Sequence, residues 1–119
     1  MGAQLQVAEK RRLKRFSAKL KVYSQLNDEL IGYSENLHTE GMMIVTKKPL
    51  QNNHEHKIWF GATKDEKKLN RIFVTGYKVW ESMTSDGNRL YYSGLHFVAP
   101  EEGTLDRIQE LLYSLEDEL

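Results

Sequence analysis

The sequence predicts a mainly β fold: a small six-stranded antiparallel β-barrel with one C-terminal amphipathic helix and a mobile basic N-terminal arm. Three observations carry this. Short β-branched and aromatic segments, bounded by turn-forming clusters, recur from Phe16 to Val98. Beyond Pro100 the apolar spacing changes from two to three or four, the stripe of a helix. A chain of 119 residues with 39% hydrophobic residues supports one ordinary core. The expected division is a flexible arm over 1–15 and a single barrel domain with its helix over 16–119.

The first dozen residues are polar and without a clear period, which makes them an arm rather than an element. From Phe16 the pattern alternates, with Phe16, Ala18, Leu20 and Val22 on one side and Ser17, Lys19, Lys21 and Tyr23 on the other. Asn27-Asp28 marks a turn, and the run from Leu30 to Leu37 starts a second strand. Gly41 precedes a buried strand over Met42–Val45, which Lys47-Lys48-Pro49 stops because proline cannot donate to a ladder. Residues 51–57 read as a loop, Ile58–Ala62 as a short strand, and the charged run from Thr63 to Arg71 as a connection. The whole 51–71 region is long enough to present a partner surface. Ile72–Trp80 is the strongest strand, Ser85-Asp86-Gly87-Asn88 a hairpin turn, and Leu90–Val98 the last strand. His96 alternates with Leu95 and Phe97 there, which makes it an outward-facing or a hydrogen-bonded strand histidine. Leu105, Ile108, Leu111, Leu112, Leu115 and Leu119 then form the helical stripe, with Thr104 as its expected N-cap.

Composition excludes several function classes. There is no cysteine, so disulfides, thiolate nucleophiles and Cys-based zinc sites are all ruled out. No apolar run is long enough for a membrane span, and the N-terminus lacks the apolar stretch of a secretory signal, so the expected location is cytoplasmic. No Gly-x-Ser-x-Gly, His-Glu-x-x-His or P-loop pattern is present, and we assign no catalytic residue. His54-Glu55-His56 offers two imidazoles where zinc wants three or four ligands, so no metal site is expected.

The net charge of zero conceals a polarised chain. Residues 8–22 carry seven cations against Glu9, whereas residues 100–119 carry seven carboxylates against Arg107. The basic arm can collect an anion and the acidic end cannot. Within the arm, Arg11 and Arg15 are four apart, which places both on one side of a helical or extended segment. Guanidinium forks onto phosphate, pairs with the guanine O6/N7 edge and stacks on rings, all of which suits an anionic nucleotide. Asn36-x-His38-x-x-Gly41 follows at a strand junction, where short polar groups and a glycine allow close approach of a ligand.

The order of these features, from basic arm to N-x-H-x-x-G, then Gly76 and Trp80, then Gly94-Leu95-His96-Phe97 and a helix, resembles the PilZ family of bacterial cyclic di-GMP receptors. That family carries R-x-x-x-R and D/N-x-S-x-x-G on a six-stranded barrel with a C-terminal helix. The resemblance runs from about Lys10 to about Leu115. It implies that Arg11 and Arg15 hold guanine and phosphate, and that Asn36, His38 and Gly41 stand at the second motif. It implies secondary contacts from Lys10 and Arg12, and leaves Trp80 as either a secondary contact or a core tryptophan. His38 departs from the family's serine: imidazole can replace the hydroxyl's hydrogen bond, stack on a base, or block the pocket. The implied function is a non-catalytic receptor, with cyclic di-GMP as ligand, no cofactor, and an unidentified downstream protein as partner. Two alternatives stand beside it. One is a small barrel that binds single-stranded nucleic acid through the arm and exposed aromatics such as Tyr23 and Tyr33; net neutrality argues against it. The other is a degenerate PilZ-like adaptor that binds no nucleotide.

Overall fold

The computed structural model describes residues 19–51, 55–84 and 89–117. Six strands, β1 (Leu20–Ser24), β2 (Leu30–His38), β3 (Gly41–Thr46), β4 (Glu55–Phe60), β5 (Ile72–Met83) and β6 (Tyr91–Phe97), precede one helix, α1 (Glu102–Asp117). All pairings are antiparallel, and the sheet closes on itself in the order β1-β2-β3-β6-β5-β4. Closure removes the exposed edges that would otherwise template aggregation.

Alternation along each strand sends one set of side chains inward. Val22, Ile44, Ile58, Val74 and Leu95 form the barrel core, and Leu37, Phe60, Ile72 and Phe97 continue it to one end. Ile108 of α1 joins the same cluster, fully buried, while Leu111 and Leu112 pack against it half-buried. The helix therefore plugs one end of the barrel, packing on β5 and β2. Arg107 fastens it by donating from a guanidinium nitrogen to the Arg71 carbonyl at 2.8 Å.

A second cluster lies outside the barrel wall. Trp59 points outward from β4 yet is fully buried, stacked on Tyr23 at 4.2 Å and covered by the Arg71 guanidinium at 3.9 Å. Its indole N–H donates to Asp28 Oδ1 at 2.9 Å, and Arg71 reaches the same oxygen at 3.2 Å. Asp28 holds a left-handed backbone (φ 59°) in the β1–β2 turn, a conformation aspartate tolerates better than most residues. Tyr23, expected on the exposed side of its strand, is only 7% exposed because of this stack.

Several boundaries differ from the sequence expectation. Strand β1 is described from Leu20; Phe16 and Ala18 lie outside the described residues. Strand β4 begins at Glu55, inside the stretch read as a loop, because residues 55–57 pair with Tyr77–Thr75. Strand β5 runs on to Met83, since a bulge between Lys78 and Trp80 lets it follow β6 further. The turn at 85–88 lies outside the described residues, but Thr84 and Leu90 exchange two hydrogen bonds across it. Helix α1 starts at Glu102, so Thr104 sits within its first turn and is not the N-cap. The connection after β4 holds one short 3-10 turn, Lys68–Asn70.

Candidate functional site

The β2–β3 connection is built by a bulge. Glu35 pairs with Met43 and His38 with Gly41, so Asn36 and Leu37 face Met42 alone. Asn36 absorbs the extra residue in a left-handed conformation (φ 57°), which asparagine tolerates. The swivel sends Leu37 into the core and leaves Asn36 on the outer rim. His38 then closes the turn: its Nδ1 accepts the Glu40 backbone N–H at 3.2 Å. That is the i to i+2 bond a serine hydroxyl makes in a polar turn, now made by an imidazole. This hydrogen bond lies within the protein itself.

Gly41 follows for a packing reason. It pairs with His96 of β6, and a Cβ there would run into the Leu95 carbonyl oxygen. Its smallness serves the β3–β6 contact, whereas the sequence suggested close approach of a ligand. Across β6, the Trp80 indole occupies the space a side chain on Gly94 would need, and Trp80 remains 48% exposed. The bulge at Val79 turns Trp80 to the outer face opposite Gly94.

Together these residues enclose a shallow outer-face cavity of about 220 Å³, lined by Asn36, His38, Gly41, Met43, Trp80 and His96 among others. The structure thus brings together Asn36, His38, Gly41 and Trp80, four of the residues singled out in the sequence. Lys10, Arg11, Arg12 and Arg15 lie outside the described residues, as does His54. His96 is exposed on the outer face, and it also borders the cavity. What places it there is its register opposite Gly41 and Tyr77, a long-range pairing that local spacing does not report. Histidines aside, Glu40 is the one fully charged side chain among the described lining residues.

Among the described residues no group of three metal-ligating side chains occurs, and no helix is long and apolar enough to cross a membrane. His56 faces the Gln51 carbonyl oxygen at 3.0 Å. Of the two aromatics proposed for stacking on single-stranded nucleic acid, Tyr33 is partly exposed and Tyr23 is buried, which removes half of that platform.

Comparisons with known proteins agree with this fold. Residues 9–114 match the PilZ domain family. The PilZ domain of YcgR from Escherichia coli, solved with c-di-GMP, superposes with a TM-score of 0.64 at 17% identity, covering 87% of this chain and 89% of that one. K. pneumonia MrkH in its apo state gives 0.66 at 16% identity, covering 87% of this chain and 49% of MrkH. The Bacillus subtilis inhibitor of motility MotI/DgrA gives 0.64 at 15% identity, covering 88% and 50%. This chain thus spans about half the length of MrkH and of MotI. A search of curated proteins finds no match. With the family match running through the whole barrel and into its helix, the chain belongs to the PilZ domain family.

Proposed function

We propose that this protein is a non-catalytic receptor for cyclic di-GMP, which gathers its basic arm around the dinucleotide and relays the signal to a partner protein. The observation that carries this reading is an electrostatic mismatch. The cavity of Asn36, His38, Gly41 and Trp80 offers hydrogen-bonding groups and an aromatic face, but its fully charged described side chain is the anion Glu40. A dianionic ligand placed there needs cations from elsewhere. The chain supplies them immediately before β1, as Lys10, Arg11, Arg12, Lys14 and Arg15. Strand β1 starts with Leu20 paired to Ser34, one residue from Glu35, whose partner Met43 lines the cavity.

Size points the same way. Sites that enclose a drug-sized ligand measure roughly 300–1,000 Å³. A cavity of about 220 Å³ is a shelf for part of a dinucleotide, and a second wall must close over it. In this reading Arg11 and Arg15 form that wall as forks on phosphate and guanine, with Lys10 and Arg12 adding field. Ligand-driven ordering of a segment is a recognised switch. The YcgR domain that shares this fold was solved with c-di-GMP, which supports the choice of ligand. A bacterial second-messenger receptor of this kind works in the cytoplasm.

Calorimetric titration tests it, with cyclic di-GMP, GMP and a single-stranded oligonucleotide as separate ligands. Saturable binding of the cyclic dinucleotide alone is expected. Silence with cyclic di-GMP on folded protein transfers the case to the degenerate adaptor. Binding of the oligonucleotide in its place transfers the case to the nucleic-acid reading.

A further inference from the structure

A second concavity among the described residues is larger than the cavity above. This groove, of about 860 Å³, is lined by residues of β2 and β3, of the β1–β2 turn and of the segment after β3. Tyr33 and Val45 form its apolar middle, flanked by Ile31 and Leu50, which also pack against the barrel core, and Lys19, Lys47 and Lys48 border it. Glu29 is the opposing carboxylate among the described lining residues. Tyr33 is paired with Val45, so these two stand side by side.

The lysines stand at two levels. Lys21 pairs with Tyr33, so Lys19 lies two residues further, level with Glu35. Gly32 pairs with Thr46, so Lys47 lies level with Ile31. Four residues of strand separate the two levels, roughly 14 Å at about 3.4 Å per residue. A single-headed anion satisfies one of these levels. A helical segment with acidic residues two turns apart, about 11 Å, and apolar residues between them satisfies both, given the reach of lysine side chains. We propose that this groove is the docking surface for an acidic amphipathic segment of a partner protein. Helix-in-groove recognition uses this combination of apolar anchors and flanking charge.

The proposal rests on the adaptor half of the function above and not on the nucleotide. It also gives the relay a route. Tyr33 and Val45 of the groove are two residues along the strand from Glu35 and Met43, and Met43 lines the candidate cavity. Both sites therefore share the same two strands.

Fluorescence anisotropy on the full chain, without cyclic di-GMP, tests it. The probe is a labelled helical peptide with Glu at i and i+7 and Leu at i+3 and i+4, compared with its Lys-for-Glu counterpart. The acidic peptide should bind, and the basic one should not. Lys47→Glu/Lys48→Glu and Lys19→Glu should each weaken binding at least tenfold, and Tyr33→Ala should weaken it with all lysines intact. The interaction should fade as salt rises. Equal binding of both peptides, or indifference to the lysine variants, would overturn the proposal. So would binding of dodecanoate without the peptide, which would mark a small-amphiphile site. Peptide binding only after deletion of residues 1–18 would make the chain's own N-terminal segment the occupant. Loss of the peptide signal with concentration-dependent sedimentation would make it a second copy, whose outer helix face carries Glu102, Asp106 and Glu110. Titrating cyclic di-GMP into the same lysine variants reads the nucleotide site separately, so failure of one leaves the other measurable.

Discussion

The indole of Trp80 fills the volume that a side chain at Gly94 would require, so the absence of a Cβ on β6 determines where the aromatic wall of the candidate cavity stands. Gly94→Ala should displace Trp80 and weaken cyclic di-GMP binding. Trp80→Ala should cost about 1–3 kcal/mol of binding, the usual worth of base stacking on an aromatic. Acrylamide quenching checks the geometry independently. Trp59 is buried and Trp80 is half exposed, so the quenchable emission belongs to Trp80 and should change in Gly94→Ala. Unchanged quenching and unchanged binding in that variant would remove Trp80 from the site.

Asp28 stands where three groups meet: the Trp59 indole N–H, the Arg71 guanidinium, and the β1–β2 turn. The indole hydrogen bond, reinforced by the Arg71 charge, holds its carboxyl below the usual 3.8 against the opposing effect of desolvation. A depressed carboxyl stabilises the fold above its unfolded value, and that contribution is lost as pH falls through the folded value. Acid titration of wild type should therefore show a loss of stability below about pH 4 that Asp28→Asn lacks. At neutral pH the Asn variant should be less stable, since it keeps a turn-tolerant backbone but loses the ion pair. Parallel melting curves of the two proteins over the same pH range would reject this assignment.

The helix is held by one residue more than by its stripe. Ile108 is fully buried in the barrel end, and Leu111 and Leu112 are half-buried around it. Ile108→Ala should cost about 2–5 kcal/mol by thermal or denaturant melts, within the range for buried aliphatic truncation. Leu112→Ala should cost less, because less of its surface leaves water. Equal losses at the two positions would mean that the helix lies on the barrel rather than plugging it.

Much of this fold is legible because its strands alternate and its helix does not. Ile72–Trp80 and the stripe through Ile108 are each unambiguous in the sequence. The errors fall where long-range pairing overrules local pattern. Residues 55–57 look like a polar loop but are drawn into β4 by pairing with β5. Tyr23 reads as an exposed strand residue because nothing local announces that Trp59 and Arg71, far along the chain, complete a stack over it. At the site, Asn36, His38 and Gly41 are readable as a motif, yet the reason for Gly41 is the Leu95 carbonyl on another strand. His96 joins the cavity through the same β3–β6 register, which only the closed barrel reveals.

His38 tests whether the turn or the imidazole matters. Its Nδ1 accepts the Glu40 N–H, a bond that a serine hydroxyl can make and alanine cannot. His38→Ser should preserve or improve cyclic di-GMP binding, and His38→Ala should weaken it by loosening the turn. Identical titrations for wild type and both variants would show that position 38 supports neither the turn nor the ligand.

The arm carries the remaining prediction, since Arg11 and Arg15 are proposed as forks and not as mere charge. A fork makes two parallel hydrogen bonds to phosphate or to the guanine edge; an ammonium makes one contact in the same space. Arg11→Lys and Arg15→Lys should each weaken cyclic di-GMP binding by about 1–3 kcal/mol, the usual worth of a bidentate pair. Lys10→Ala and Lys14→Ala should do less harm, and that harm should shrink as salt is raised, because screening acts on charge at a distance. Arg12→Ala should behave like the lysine variants. The melting temperature of the unliganded protein should barely change in any of them, because the described core and its helix plug are complete without residues before β1. A purely electrostatic arm predicts the reverse pattern: Lys serves as well as Arg, and all five basic positions are nearly equivalent. Calorimetric titrations at two salt concentrations separate the two. If the Arg→Lys variants bind as wild type does, recognition by paired forks is wrong, and the arm acts only as a field that concentrates anions near the cavity of Asn36, His38 and Trp80.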